Sequence, residues 1–479
     1  MTRRLAVCAG ALLAACVGPD FHRPPPPPVS RYTATPLPTQ TAGADGVHGD
    51  AQRFLEDLDV PRDWWRLFGS PALDTLVSDA LRASPQVASA QAALRQAREN
   101  TAAQRAAAWP VVQGEFDAQR HRDATGVLQP TLQSGAPIYN LFTPQLAVSF
   151  VPDLFGGNRR QLESLAAHAE AARDQLDATY LTLTANVVAA AVQEATLRAQ
   201  IDATQRLIDG GRESLGVMRR QVALGAIPEA EVYAQDALLA QLETTLPPLQ
   251  KQRYVVRDQL ALLTGRLPAE FDAAPLELTD LTLPTDLPLG LPSQLVTRRP
   301  DVRAAEAQLH AATADVGVAT ANLLPQLTLT GNIGSSATTF GTLFRPGTGF
   351  WGVGSNAAQT LFAGGALVHK RRAAQAALDQ AAADYRTAVL TAFQNVADAL
   401  HALEADADAL AASARAAAAS ERGLTVARAQ LKAGASGYLA LLTAEQGYQQ
   451  ALLGAVQARG NRLEDTAALF QALGGSIAP

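Results

Sequence analysis

The chain has 479 residues, 48% of them hydrophobic, and a formal net charge of −6. That is enough to bury a large core, and length alone allows on the order of two to four domains. The pI lies near 5.7 and Lys and Arg are scattered rather than clustered, which leaves no basic face and excludes nucleic acid as a partner.

In chain order, Arg3 and Arg4 precede an apolar stretch from Leu5 to Ala15. It is too short to span a bilayer but suits a secretory signal. The stretch ends in Leu13-Ala14-Ala15-Cys16, which resembles the bacterial lipobox. Residues 1–15 are therefore expected to be a lipoprotein signal, with Cys16 the acylated first residue of the mature chain. Val17 stands where an aspartate commonly holds a lipoprotein at the inner membrane, so delivery to the outer membrane is expected. Cys8 leaves with the signal and Cys16 carries lipid, so no disulfide is expected. Next come Pro24 to Pro28 and a Thr, Pro, Gly and Ala-rich tract reaching about Val47. Its composition predicts an extended tether, residues 16–47, of ~3 Å per residue that spaces the body from the membrane.

The body is written twice. Ser84-Pro85-Gln86-Val87 and a helix running into Trp109-Pro110 match Arg299-Pro300-Asp301-Val302 and a helix running into Leu324-Pro325. Leu154-Phe155-Gly156-Gly157 before a very long helix matches Leu361-Phe362-Ala363-Gly364-Gly365 before another. Gln221-Val222-Ala223-Leu224-Gly225 likewise matches Gln430-Leu431-Lys432-Ala433-Gly434. The repeats are placed at residues 48–285 and 286–470, with a tail at 471–479. Each predicts helix, strand, loop, strand, long helix, tight turn, helix.

Four short alternating runs, about residues 110–119, 143–152, 325–334 and 350–361, predict strands. Leu146, Val148 and Phe150 point one way and Gln145, Ala147 and Ser149 the other; Leu327, Leu329 and Ile333 alternate with Gln326, Thr328, Thr330 and Asn332. One apolar and one polar face fits a half-buried soluble sheet or a barrel strand with lipid on one side and water on the other. The export signal and the lack of a broad apolar stripe on the helices favour the barrel. Four strands cannot close, and an open edge is not tolerated in lipid, so the barrel must be shared between chains. Tyr139, Phe142, Phe340, Phe344, Phe350 and Trp351 lie in or near the strand-joining loops, as expected of an interfacial aromatic girdle. The long helices, from 158 to about 222 and 366 to about 431, hold hardly any breaker apart from Gly210-Gly211 and would reach ~100 Å. Helices of that length need a coiled coil or a tube.

No enzymatic pattern is present. His22, His48, His121, His168, His310, His369 and His401 stand apart from any metal-ligand spacing, and Gly352-Val353-Gly354 lacks the context of a phosphate loop. No Gly-x-Ser-x-Gly elbow occurs. No enzyme, cofactor or metal is expected.

The sequence resembles the outer-membrane factors of tripartite efflux systems, the TolC-like proteins, in their lipoprotein branch. The resemblance rests on Cys16-Val17-Gly18-Pro19-Asp20-Phe21 with Pro24, Trp64-Trp65 with Phe68 and Leu73, Arg299-Pro300-Asp301-Val302, Leu324-Pro325, and Gly434 with Tyr438-Leu439 and Leu442. It covers the chain from Cys16 to about Leu469. It implies a mixed α/β membrane protein, a homotrimer whose twelve-stranded transmembrane β-barrel continues into a long periplasmic α-helical barrel. The implied partners are a periplasmic adaptor and an inner-membrane pump, often of the resistance-nodulation-division type. A periplasmic gate is also implied, at turns from Gly225 to Pro228 and from Gly434 to Gly437. Where relatives place acidic side chains in the narrowest ring, this chain has Ala440 and Thr443, so closure is expected to rest on Leu439 and other apolar contacts. Glu231, Asp236 and Glu445 are nearby acids that could supply charge instead. A duct for secreted polypeptides and a non-porous coiled-coil spacer are the alternative readings.

Overall fold

A computed structural model describes residues 17–56, 58–122 and 138–474. The expected export signal, Cys16, residues 123–137 between the first two long strands, and the last five residues of the tail lie outside the described residues.

The duplication is carried into three dimensions. Helices α1 (Pro71–Ala83) and α2 (Pro85–Ala106) lead into strands β2 (Val111–Arg122) and β3 (Ile138–Phe150), then α3 (Gly157–Ala223) and α4 (Glu229–Leu263). Helices α5 (Pro292–Arg298) and α6 (Pro300–Ala321) lead into β5 (Gln326–Ser335) and β6 (Gly349–Ala358), then α7 (Ala366–Lys432) and α8 (Tyr438–Leu473). Equivalent helices match in length: 22 residues in α2 and α6, 67 in α3 and α7, 35 in α4 and 36 in α8. At 1.5 Å per residue α3 and α7 each extend ~100 Å.

The chain separates into two compact units, and these do not coincide with the repeats. One unit draws on Leu94–Ala171, Ala305–Tyr385 and the described residues before Pro24; the other on Pro24–Ala93, Ala172–Ala304 and the chain from Arg386.

The first unit holds an antiparallel sheet in the order β2-β3-β5-β6. In its register Phe116 opposes Pro144, Leu146 opposes both Gly114 and Ile333, and Ile333 opposes Trp351. Because side chains alternate across a strand, these residues share one face with Val112, Val148, Leu329 and Val353. Gln113, Glu115, Gln145, Thr330 and Asn332 share the other. The apolar face is bare: Phe116 is 58% exposed, Ile333 60% and Trp351 75%. The polar face is laced across strands, Gln145 donating to Glu115 at 2.8 Å and Asn332 donating to Gln145 at 3.3 Å. Helix α3 starts where it does because the Asp153 carboxylate accepts the backbone N–H groups of Asn158 and Arg159, at 3.1 and 2.8 Å, satisfying donors that a helix start leaves open.

The start of the described chain is not the free tether its composition predicts. Asp20 pairs with Arg160 at 2.5 Å, Arg23 with Glu306 at 2.5 Å, and the Phe21 ring stacks on His310 with centroids 4.4 Å apart. Gly18 lies against Gly317 so closely that a Cβ on Gly18 would come within 2.4 Å of the Gly317 Cα. In the second unit the Tyr32 hydroxyl donates to the Gly290 carbonyl at 2.7 Å. The segment lacks regular structure, as Pro and Gly dictate, yet specific polar and ring contacts bind it to the body.

The second unit packs α3, α4, α7 and α8 through small residues and paired charges. At Gly460 in α8 an added Cβ would meet the Thr196 hydroxyl of α3 at 2.2 Å, so glycine is what lets these helices approach. A short parallel pair, β1 (Arg53–Leu55) with β4 (Asp286–Pro288), and a 3-10 turn at Trp64–Phe68 complete this unit. No helix among the described residues is long and apolar enough to cross a membrane.

Two carboxylates on α8 sit in this packing with displaced titrations. Burial, a hydrogen bond to Asp406 and the charges of Asp406 and Glu464 push Asp465 up to about 7. Burial and Asp406 push Glu464 up to about 7 as well. Both folded-state values lie above those of an unfolded chain, so the folded state holds extra protons and loses stability as pH rises from about 4 to about 7. The melting temperature is expected to fall between pH ~5 and ~8, and Asp465→Asn to flatten that fall by stabilising the alkaline side. Parallel wild-type and variant profiles would contradict this assignment.

Candidate functional site

The sequence singled out the turns that end the long helices, and both are built alike. Gly225 and Gly434 adopt φ of 71° and 68°, the left-handed conformation that closes a helix without Cβ strain. After each turn the chain re-enters a helix, with Pro228 and Gly437 as the preceding caps of α4 and α8. Ala226 and Ala435 each donate back to the glutamine five residues earlier, Gln221 and Gln430, at 2.8 and 2.9 Å.

Behind the turns Met218, Leu424, Ala427, Tyr438 and Leu441 form a buried cluster from α3, α7 and α8, with Ile227, Val232 and Leu431 against it. The Tyr438 hydroxyl donates to the Gln221 side chain. Burial and the nearby Glu231 raise the Tyr438 pKa above the usual phenol value, so the hydroxyl stays a donor at any physiological pH.

The candidate closing residues lie on the opposite side of α8. Leu439 is 78% exposed, and Ala440 and Thr443 are exposed with it. The Thr443 hydroxyl turns back to the Leu439 carbonyl at 2.9 Å, which lowers the polarity this position presents. Leu439 is outside the buried cluster, and its apolar side chain stands open in the protomer.

The three candidate acids behave differently from one another. Asp236 is exposed and pairs with Arg219 at 3.5 Å. Glu445 pairs with Arg428 at 3.6 Å, and burial raises its pKa although Arg428 and Gln235 oppose the shift. Glu231 is half-buried, with one carboxylate oxygen lacking a hydrogen-bond partner among the described residues. Two of the three are thus offset by arginines of the same chain.

Five of the six girdle aromatics divide between the two sheet faces, and Phe344 lies in the loop between β5 and β6. Phe142 and Trp351 fall on the apolar face, and Phe340 packs there by edge-to-face contact with Phe116 and Phe142, at 6.4 and 6.0 Å. Tyr139 instead stacks on His121 on the polar side, and Phe350 covers Gly334 there. This corrects the expectation of one girdle, and the reason is strand parity: Phe350 and Trp351 are adjacent and must point opposite ways.

The model of the family described as outer membrane efflux protein matches residues 76–266 and 291–475. The chain belongs to this outer membrane efflux protein family. The two matched segments follow the duplication. Over 450 residues the chain is 30% identical to the pyoverdine export outer membrane protein OpmQ of Pseudomonas aeruginosa, covering 92% of this chain and 93% of that one. Over 478 residues it is 29% identical to the toluene efflux pump outer membrane protein TtgC of Pseudomonas putida, covering 98% and 94%. The structure of the outer-membrane channel OprN superposes with a TM-score of 0.84 at 29% identity, covering 97% of this chain and all of that one. The MtrE outer membrane channel of Neisseria gonorrhoeae, solved in its open state, superposes with 0.82 at 26% identity. As an outer membrane efflux protein the chain is a channel and not an enzyme, and its fold is that of the outer-membrane channels.

Proposed function

We propose that three copies of this chain form the outer-membrane exit duct of a tripartite efflux system, passing on cargo that an inner-membrane pump drives through a periplasmic adaptor. The observation that carries this reading is the four-stranded sheet, bare on its apolar face and polar on the other, with β2 and β6 at its edges. Lipid tolerates no open edge, so each β6 pairs with the β2 of the next copy. Three copies supply twelve strands, with lipid against the Ile333 face and water against the Gln145 face.

Acylation of Cys16 would hold the protein in the outer membrane. The docked segment from Val17 to Phe21 supports that role, because Asp20 and Gly18 tie it to the helices that border the sheet. The turns at Gly225 and Gly434 are the proposed periplasmic gate, closed by apolar contacts of Leu439 beside Ala440 and Thr443 rather than by Glu231, Asp236 or Glu445. The pump is of the resistance-nodulation-division type in this reading.

The cargo is a small molecule. OpmQ is named for pyoverdine and TtgC for toluene, yet the chain is 30% and 29% identical to them. Such different cargo on equally related ducts supports selection by the pump, with the duct a water-filled path.

Edge pairing is testable directly. Cysteines replacing polar-face residues of the two edges, Gln113 on β2 and Asn356 on β6, and their neighbours two residues on, combined pairwise until the register is found, are expected to cross-link into a ladder that stops at three chains. A ladder that stops at two, or runs past three, would overturn the trimer.

A further inference from the structure

We propose that the loop between β5 and β6 and the apolar face of the sheet form a clamp for a phosphorylated, anionic lipid. Its acyl chain would lie in the cleft and its phosphate on Arg345, while Arg120 and Arg122 add positive charge farther along the same face of β2. The inference rests on the barrel reading, in which this face meets the bilayer.

The loop first continues the β3–β5 ladder and then turns back over the sheet at Phe340. Phe142 and Ala337 exchange backbone hydrogen bonds of 2.9 and 3.0 Å, and Phe340 rests on Phe116 and Phe142. Between loop and sheet lies a cleft of about 670 Å³, with Phe116, Leu146 and Ile333 on its floor and Phe344 and Arg345 at its rim. Gly114 on β2 contributes floor without a side chain.

Two features of the rim are hard to explain by packing within the chain. Phe344 adopts φ of 66°, a conformation that costs a bulky residue on the order of 1–3 kcal/mol, yet its ring is 77% exposed. Strain that gains no buried area in the protomer points to an apolar partner outside it. Arg345 then sets a cation at the mouth of an apolar cleft, and among the described residues it makes no ion pair.

The charge pattern of the face selects the partner. Along β2 the apolar face reads Val112, Gly114, Phe116 and Ala118, then Arg120 and Arg122, both exposed. Asp117 points to the other face, as does Glu115, whose residue nonetheless borders the cleft. Apolar floor with arginines at one end is the pattern of an acyl chain below a phosphate, and arginine matches phosphate oxygens with paired donors. Arginines at a lipid surface without anionic partners would instead be costly.

Trp351 reports on this face, since it opposes Ile333 and is 75% exposed. Trp64 and Trp65 are buried, so a Trp109→Phe background leaves Trp351 as the indole that lipid can quench. The full-length acylated protein would be reconstituted in phosphatidylcholine vesicles in which either the phosphatidylcholine or an added phosphatidic acid carries brominated chains. Brominated phosphatidylcholine is expected to quench Trp351. Brominated phosphatidic acid is expected to compete for the site roughly fivefold or more better, at about one factor of five per arginine. Arg345→Gln with Arg120→Gln should remove that preference, and Arg345→Lys should keep most of it. If phosphatidylcholine quenches but phosphatidic acid shows no preference, or the glutamine variant retains it, the clamp is refuted while the barrel stands. If neither lipid quenches, the sheet does not face lipid, and the barrel reading falls with the clamp.

Discussion

Arg462→Ala is expected to destabilise the protein by about 3 kcal/mol or more, since each buried acceptor left without its donor costs on the order of 1–3 kcal/mol. Arg462 is fully buried in α8. Its guanidinium donates to the Asp50 carbonyl at 2.6 Å, the His48 carbonyl at 3.1 Å, the Thr41 hydroxyl at 3.1 Å and the Gln52 side chain at 3.3 Å. Four acceptors from one short stretch would lose their donor together, three of them on buried residues, Thr41, His48 and Gln52, where water cannot readily replace it. The stretch from Thr41 to Gln52 should then be cut by protease well below the melting temperature. Gln52 also donates to Thr466 and to the Pro284 carbonyl, at 3.0 and 2.9 Å, so its position depends on the same helix. A variant that melts with the wild type and resists protease equally would show that the segment is held by other contacts.

Trp64→Ala is expected to cost a similar ~3–5 kcal/mol, for a different reason. Trp64 is completely buried, stacked on Phe470 at 5.4 Å and edge-on to Phe68 and Trp65 at 6.3 and 6.4 Å. Truncation leaves a cavity between the 3-10 turn and the end of α8, where Phe68 and Phe470 are themselves fully buried and have little room to collapse inward. The indole N–H has no hydrogen-bond partner among the described residues. Trp64→Phe should therefore cost much less than Trp64→Ala, since it loses volume but no bond. Equal losses in denaturant melts of the two variants would contradict a packing role.

Much of this architecture was legible before any coordinates. The long helices are uninterrupted runs of helix-forming residues, and the repeated glycine turns at Gly225 and Gly434 mark their ends by local chemistry alone. The four strands show period-two alternation, and the exposure of Leu146 and Ile333 is what a lipid-facing strand requires. What escaped was non-local. Asp20 meets Arg160 and Gln52 meets Arg462 across separations of 140 and 410 residues, which no window on the sequence detects. The N-terminal segment consequently read as a free tether. The short pair β1 and β4 carries too few residues to show a period. The split of the aromatics is written in strand parity, since Phe350 and Trp351 are neighbours, and residue type alone does not show it. At the turns, the arginines that offset Asp236 and Glu445 come from neighbouring helices and left no signal beside those acids.

In the proposed assembly the chain is a conducting duct closed by apolar contacts at the helix turns. Single-channel conductance of the purified, acylated protein in planar lipid tests it most directly, with wild type set against Leu439→Ala combined with Thr443→Ala. Wild type should give small, mostly closed pores, and the double variant wider and longer openings. If neither protein conducts, the duct is wrong; if both conduct alike, Leu439 and Thr443 do not close it.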